Sequence, residues 1–413
     1  MSQTSVVERF LRYVTFDTQS SETSDTYPST EKQLDLLRHL VDELRALGLS
    51  DAAMDEHGYV MATIPATSSK PSVPVIGFIA HVDTSPEMSG AGVKPIIHRD
   101  YQGQDIVLPD DPTAVLRPAE IPYLTERIGD DIITASGTTL LGADNKSGVA
   151  EIVAAAEYLM AHPEIPHGPI RIGFTPDEEV GTGTKYFDVA KFGAKYAYTM
   201  DGGPRGEIEY ESFSADAMTI TFQGRNTHPG YAKGVMVNSI KVAADFINRL
   251  PKDTLSPETT EDYEGYVHPY VVTPSVDRTA VKVLIRDFKT PGLKEKEDFL
   301  ENLARETVAD WPGSFFEVKI DESYRNMREV LDHLPDVVEN AREAIRRAGM
   351  DPHTKPIRGG TDGSKLSFMG LPTPNIFAGE QSFHSRFEWV SAQDMEKAVE
   401  TIVQLAQVWE ERA

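Results

Sequence analysis

The sequence predicts an α/β fold: a mixed, mostly parallel sheet flanked by helices, interrupted by an inserted β-α-β-β-α-β domain. Three observations predict it. Short apolar strands alternate with helical runs at both ends of the chain, the pattern of parallel pairs joined by crossovers. The middle of the chain changes to the split βαβ order, bounded by turn-rich segments. At 413 residues the chain also exceeds one ordinary hydrophobic core, so two domains are expected.

Taken in order, residues 30–47 read as a helix, with Ser29 or Thr30 as its cap, leucines at helical spacing and Gly48 as its stop. Strands follow at 60–64 and 73–80. The stretch 85–135 is rich in Gly, Pro and Asp and reads as an excursion with a few short strands. A helical run covers 148–160. A strand at 169–175, a short helix near 184–190 and a strand at 196–200 come next. The insertion reads as strand 215–223, helix 236–249, strands near 267–274 and 280–288, helix 293–309 and strand 314–321. Its acidic, polar stretch 251–265 is expected to be a mobile loop. Helix 331–348, short strands near 355 and 375, and a final helix 392–411 complete the first domain. The expected division is 1–208 and 323–413 for one domain and 209–322 for the other.

Acidic side chains outnumber basic ones, 65 to 40, for a net charge of −25. Such a chain repels polyanions and shows no basic patch, so a nucleic-acid partner is not expected. The absence of cysteine removes disulfides, thiolate nucleophiles and zinc–thiolate sites, and it fits a reducing cytoplasm. The N-terminal apolar residues are interrupted by Glu8, Arg9 and Arg12, as on an amphipathic helix rather than a signal peptide. No apolar run approaches the ~20 residues that span a bilayer, so no membrane partner is expected.

The chemistry-bearing residues gather at predicted strand ends. His81-Val82-Asp83 closes an apolar strand. Residues i and i+2 share a face there, so Asp83 can hold one ring nitrogen of His81 while the other meets a metal. Alone, a His-x-Asp pair reads more readily as structural. Asp144 lies between an apolar stretch and a helix start, where a carboxylate either caps or ligates. Pro176-Asp177-Glu178-Glu179 puts three carboxylates at the next strand end, a crowding that costs energy unless a cation offsets it. Adjacent residues project differently, so one of Glu178 and Glu179 can ligate while the other stays free as a base. Asp201 ends a further strand, and His384 follows the short strand near 375. Nitrogen and oxygen ligands without thiolate suit zinc, cobalt or manganese. Five ligands with one shared carboxylate suit two metals about 3.5–4 Å apart.

The ordered set HVD, GADNKSG, PDEE, MDGG and a late His in a Gly- and Glu-containing loop resembles the dinuclear zinc exopeptidases, the family that includes glutamate carboxypeptidase and aminoacylase. HVDTSPEMSGAGVKP from His81, NTHPGYAKGVMVNS from Asn226 and IRGGTDGSKLSFMG from Ile357 place the likeness nearest to the members that act on tripeptides, and it runs the full length. The resemblance implies two Zn2+ per subunit, with Co2+ or Mn2+ as substitutes. It implies His81 and Asp201 on one, Glu179 and His384 on the other, and Asp144 bridging. It further implies Asp83 behind His81, Glu178 as general base, His228 as oxyanion donor, Arg358 gripping a substrate carboxylate and Asn238 as a lid contact. A cis peptide at Asp144–Asn145, a lid and dimerisation role for the insertion, and a homodimer are implied as well. The expected activity is release of the N-terminal residue from a short peptide, a tripeptide.

Glu380 departs from the pattern, standing where another Gly is expected, and the sequence after His384 also differs. Two alternatives stay open. A dipeptidase, carboxypeptidase or N-acyl amino acid deacylase would share the same core. A metal-binding protein without activity would have no use for the spare carboxylate Glu178.

Overall fold

The computed structural model describes residues 4–413. One compact unit comprises the chain up to Tyr210, Val330–Lys355 and Thr361–Ala413; the other comprises Glu211–Glu329 and Pro356–Gly360.

The first unit is built on a seven-stranded sheet. Its strands are β1 (Ala53–Met54), β2 (Val60–Ile64), β3 (Ile76–His81), β4 (Ile170–Thr175), β5 (Tyr196–Gly202), β6 (Ile208–Glu209) and β7 (Asn375–Phe377), in the spatial order β1-β2-β4-β3-β5-β7-β6. The four central strands β4, β3, β5 and β7 are mutually parallel, while the pairs β1–β2, β2–β4 and β6–β7 are antiparallel. Every residue of β3 is buried, as expected of a parallel strand covered on both faces. Helix Ala143–Ala161 packs against β3 and β5. Gly148 makes that approach possible: a Cβ there would come within 1.9 Å of the Met200 carbonyl oxygen. The C-terminal ends of β3, β4 and β5 therefore open on one edge of the sheet, where open α/β folds place their sites.

The second unit follows the order β-α-β-β-α-β. Its antiparallel sheet has the spatial order Tyr266–Thr273, Arg278–Asp287, Ser214–Gln223, Phe315–Tyr324. Alternate residues Met218, Ile220 and Phe222, with Val281, Val283 and Ile285, face Val242, Phe246, Leu293 and Leu300 of helices Ser239–Arg249 and Thr290–Asp310. Each such burial contributes roughly 1.5–3 kcal/mol.

Several local expectations are corrected. Helix Gln33–Ala46 begins after Lys32 with no side-chain cap, because Ser29 bonds Asp177 instead. The run 331–348 divides into Arg328–Leu331 and Pro335–Arg347, since Pro335 has no N–H and disfavours helical Leu334. The short helix near 184–190 lies at Val189–Phe192, where the Asp188 side chain caps it. Near 355 there are two isolated bridges, Glu207–His353 and Ser212–Ile357, rather than a strand. The second of these draws Pro356–Gly360 into the second unit, and that unit's main segment ends at Glu329 rather than 322. The segment 251–265 has no helix or strand. Among the described residues, no helix is long and apolar enough to cross a membrane.

Candidate metal centre

Strand β3 delivers His81, β5 delivers Asp201, and the turn after β4 delivers Glu178 and Glu179. That turn is shaped by Asp177, a buried residue at φ 58°. Its carboxylate accepts from the Ser29 N–H at 2.6 Å and from Gln33 Nε2 at 2.7 Å, and its own N–H donates to Gln33 Oε1 at 3.1 Å. Asp144 sits at φ −81°, ψ 101°, outside helical geometry, so Ala143–Ala161 is kinked at Asp144 and Asn145 near its start. The Asp144–Asn145 peptide is cis.

The structure brings all five candidate ligands together in two overlapping groups: His81, Asp144 and Asp201, and Asp144, Glu179 and His384. His81 Nε2 lies 3.0 Å from Asp144 Oδ1 and 3.4 Å from Asp201 Oδ1. His384 Nε2 lies 2.8 Å from Glu179 Oε2 and 3.2 Å from Asp144 Oδ2. Asp144 thus offers one oxygen to each group. Each histidine turns its other nitrogen outward. His81 Nδ1 meets the Asp83 carbonyl at 3.0 Å and its carboxylate at 3.3 Å, and His384 Nδ1 meets Glu87 at 3.4 Å. Asp83, fully buried, also accepts from the Glu178 N–H at 3.0 Å and the Glu179 N–H at 3.2 Å.

The electrostatics describe a site with too much negative charge. Burial alone would lower His81, but Asp201 and then Asp144 and Asp83 raise it well above its ordinary value. Burial likewise opposes charge on His384, yet its bonds to Asp144 and Glu179 push it up to about 11. Glu179 is pushed up to about 8, by burial first and the Asp144 carboxylate second. Glu178 is raised well above the carboxylate range, chiefly by burial, against the pull of His81. Glu179 Oε1 is buried without a hydrogen-bond partner, an acceptor with nothing from the protein to accept. Converging carboxylates, two inward Nε2 atoms and an orphaned oxygen fit a pair of divalent cations.

Residues that sequence reasoning missed stand behind these. Glu388 is buried and accepts from the N–H groups of Leu141, Gly142 and Asp144; burial pushes it up to about 7. Gln33, Ser29 and Glu87 act on the ligand-bearing segments as described. Glu380, the residue in place of glycine, is buried and accepts from Ser147 Oγ at 3.2 Å.

The remaining candidates lie in the second unit, each with a local partner. His228 is exposed, and its Nδ1 accepts from the Gly230 N–H at 3.1 Å. Asn238 caps helix Ser239–Arg249 by accepting from the Ile240 N–H at 2.9 Å. Arg358 donates to the carbonyls of Asp262 at 2.8 Å and Glu264 at 2.9 Å and to Thr260 Oγ1 at 3.0 Å, beneath the rings of Phe213 and Tyr266.

Residues 108–408 match the model of peptidase family M20/M25/M40. A protein named peptidase T from Geobacillus kaustophilus is 49% identical over 408 residues, covering 99% of each chain. The crystal structure of an aminopeptidase PepT from Bacillus cereus has a TM-score of 0.76 at 23% identity, covering 99% of both chains. A tripeptidase from Staphylococcus aureus also has a TM-score of 0.76, at 21% identity, covering 100% of this chain and 99% of that one. At those identities the structural likeness bears on the fold.

Proposed function

The chain belongs to peptidase family M20/M25/M40, and from that premise we propose that it is a dinuclear zinc aminopeptidase releasing the N-terminal residue of tripeptides. The family is one of metal-dependent peptidases, so the chain is a hydrolase. The observation that carries the dinuclear reading is Asp144, whose two oxygens face separate ligand groups. The tripeptide reading is supported by the names of its relatives and by the motifs around His81, Asn226 and Ile357.

In this reading His81 and Asp201 would hold one zinc, Glu179 and His384 the other, and Asp144 would be shared between them; Co2+ or Mn2+ would be acceptable substitutes. When bound, such a pair supplies Lewis acidity and lowers the pKa of a water toward neutrality. Glu178 removes the proton of the attacking water and returns it to the leaving amine. A carboxyl whose proton affinity is raised by burial suits both halves of that transfer. Asp83 holds the His81 ring and, through the Glu178 N–H, the base. His228, from its own subunit or a partner's, donates to the developing oxyanion. Arg358 exchanges its carbonyl partners for the C-terminal carboxylate of the substrate, with Asn238 nearby on the lid. The gap between that grip and the cations then sets peptide length.

A homodimer through the second unit is part of the proposal. Tyr270, Val271 and Val272 are exposed on the edge strand Tyr266–Thr273, the kind of surface another chain covers. A cysteine-free chain suits the cytoplasm. The test is a side-by-side assay of the zinc-loaded protein on a tripeptide, its N-acetylated and C-amidated forms, a dipeptide and an N-acetyl amino acid. Fastest turnover on the free tripeptide is expected; a dipeptide or N-acetyl amino acid cleaved faster overturns the reading.

A further inference from the structure

We propose that Glu388 is a positioning residue that sets the separation of the two cations by tying the turn carrying Asp144 to the loop carrying His384. The inference rests on the dinuclear reading and goes beyond its ligand set.

Glu388 is 1% exposed. Its Oε2 accepts from the Leu141 N–H at 2.6 Å and the Gly142 N–H at 2.8 Å, and its Oε1 accepts from the Asp144 N–H at 3.0 Å. Three main-chain donors of one turn therefore converge on one carboxylate. The three N–H groups favour the ionised carboxylate against the burial that raises it, and bonds to the ionised form are roughly twice as strong as neutral ones. The turn reverses at Gly142, φ 83°, a conformation that favours glycine. Lys146, on the first turn after Asp144, is buried with its ammonium on the Phe16 carbonyl at 2.8 Å, and its charge faces Glu388.

The other end of the tie is equally fixed. Gln381 and Trp389 exchange backbone hydrogen bonds at 3.1 and 3.0 Å, closing a loop with His384 near its tip and Glu388 at its base. Within that loop, Ser385 Oγ donates to the Ser382 carbonyl at 2.6 Å, and Arg386 pairs with Asp111 at 2.6 Å. Displacing Glu388 thus moves the Asp144 turn relative to the His384 loop, and these carry the bridging carboxylate and a ligand of one cation. Asp83 does the same for the Glu178–Glu179 turn through two N–H groups. Neither carboxylate belongs to the ligand groups; each holds ligands through the backbone.

The experiment uses the full-length, metal-stripped protein and its Glu388→Gln, Glu388→Asp and Glu388→Ala variants, titrated with Co2+. Binding of each cation, the visible absorption of the cobalt sites and the magnetic coupling between them are recorded, with thermal unfolding of the apo forms. Glu388→Gln keeps the shape but replaces one accepting oxygen with a donor. It is expected to fold, to lose about 10–100-fold in affinity for the second Co2+ and to weaken the coupling. Glu388→Asp, which keeps both acceptors, is expected to recover part of that loss. Glu43→Gln is the control for mere destabilisation: Glu43 accepts from Arg9 and Tyr13 away from the site, and its loss should lower stability with the cobalt spectrum unchanged. Wild-type protein that takes two cations, beside a Glu388→Gln variant with the same affinities and coupling, overturns the inference alone. Wild-type protein that takes only one cation overturns the dinuclear reading, and the inference with it.

Discussion

In the first unit, Asp144, Glu179 and Asp201 meet histidines, and no lysine or arginine among the described residues lies within ion-pair distance of them. In the second unit, the candidates are locally complete: His228 closes a turn, Asn238 caps a helix and Arg358 fastens the segment 260–264. The difference teaches how to weigh a polar residue. Charge that the fold leaves unbalanced under burial points to something the fold itself does not contain. A polar group with a satisfied local partner has a sufficient structural reason to be there, and a functional role must be shown by experiment.

Mutation sharpens that contrast. The largest effect is expected for Glu178→Gln, a loss in kcat on the order of 10²–10⁴ with both cations retained by equilibrium dialysis. Near-normal turnover in that variant would remove the base from the mechanism. His228→Ala tests whether the second unit takes part in chemistry at all. A fall in kcat of about 10²–10³ is expected for a lost oxyanion donor, whereas a change under twofold returns His228 to its turn.

The unbalanced charge has a pH signature. Without metal, His384, raised to about 11, and Glu179, raised to about 8, hold protons at neutral pH. Cations must displace those protons, so affinity is expected to rise with pH, about tenfold per unit for each proton released, and less steeply once Glu179 has titrated. Calorimetry in buffers of different ionisation enthalpy counts the protons, and affinity independent of pH between 6 and 8 would contradict the electrostatic account. The smallest effect belongs to Asn238→Ala. Loss of the cap should cost about 1 kcal/mol in thermal unfolding of the protein. If KM for a tripeptide rises more than tenfold instead, Asn238 contacts substrate and the comparison between units weakens.

His81, Glu179 and Asp201 could be grouped from the sequence because they sit at or just beyond the ends of parallel strands, which meet at one edge; Asp144, at a helix start, and His384, in a loop, were grouped with them by the order of the motifs. The split βαβ unit was legible through alternation in Met218, Ile220 and Phe222 and helical spacing in its two helices. Glu388, Ser29 and Gln33 were not. Glu388 accepts from main chain 244 residues away, and Ser29 and Gln33 donate to the Asp177 carboxylate across 148 and 144 residues; partners so distant along the chain leave no spacing to read. Ser29 was read as a cap since its neighbours looked like a helix start, yet a buried carboxylate at Asp177 outcompetes the helix for its hydroxyl. Pro356–Gly360 escaped notice because a single bridge, Ser212–Ile357, decides which unit it joins.

The centre also has a schedule. Its side chains run from His81 to His384, with Glu388 later still in a chain of 413 residues. Translation at about 5–20 residues per second produces the first of them on the order of tens of seconds before the last. During that interval the N–H groups of the Asp144 turn lack Glu388, and the Asp144 carboxylate has His81 but not His384 beside it. The group His81, Asp144 and Asp201 is therefore complete once residue 201 has been made, whereas the group Asp144, Glu179 and His384 waits for the synthesis of residue 384, after all strands of the main sheet.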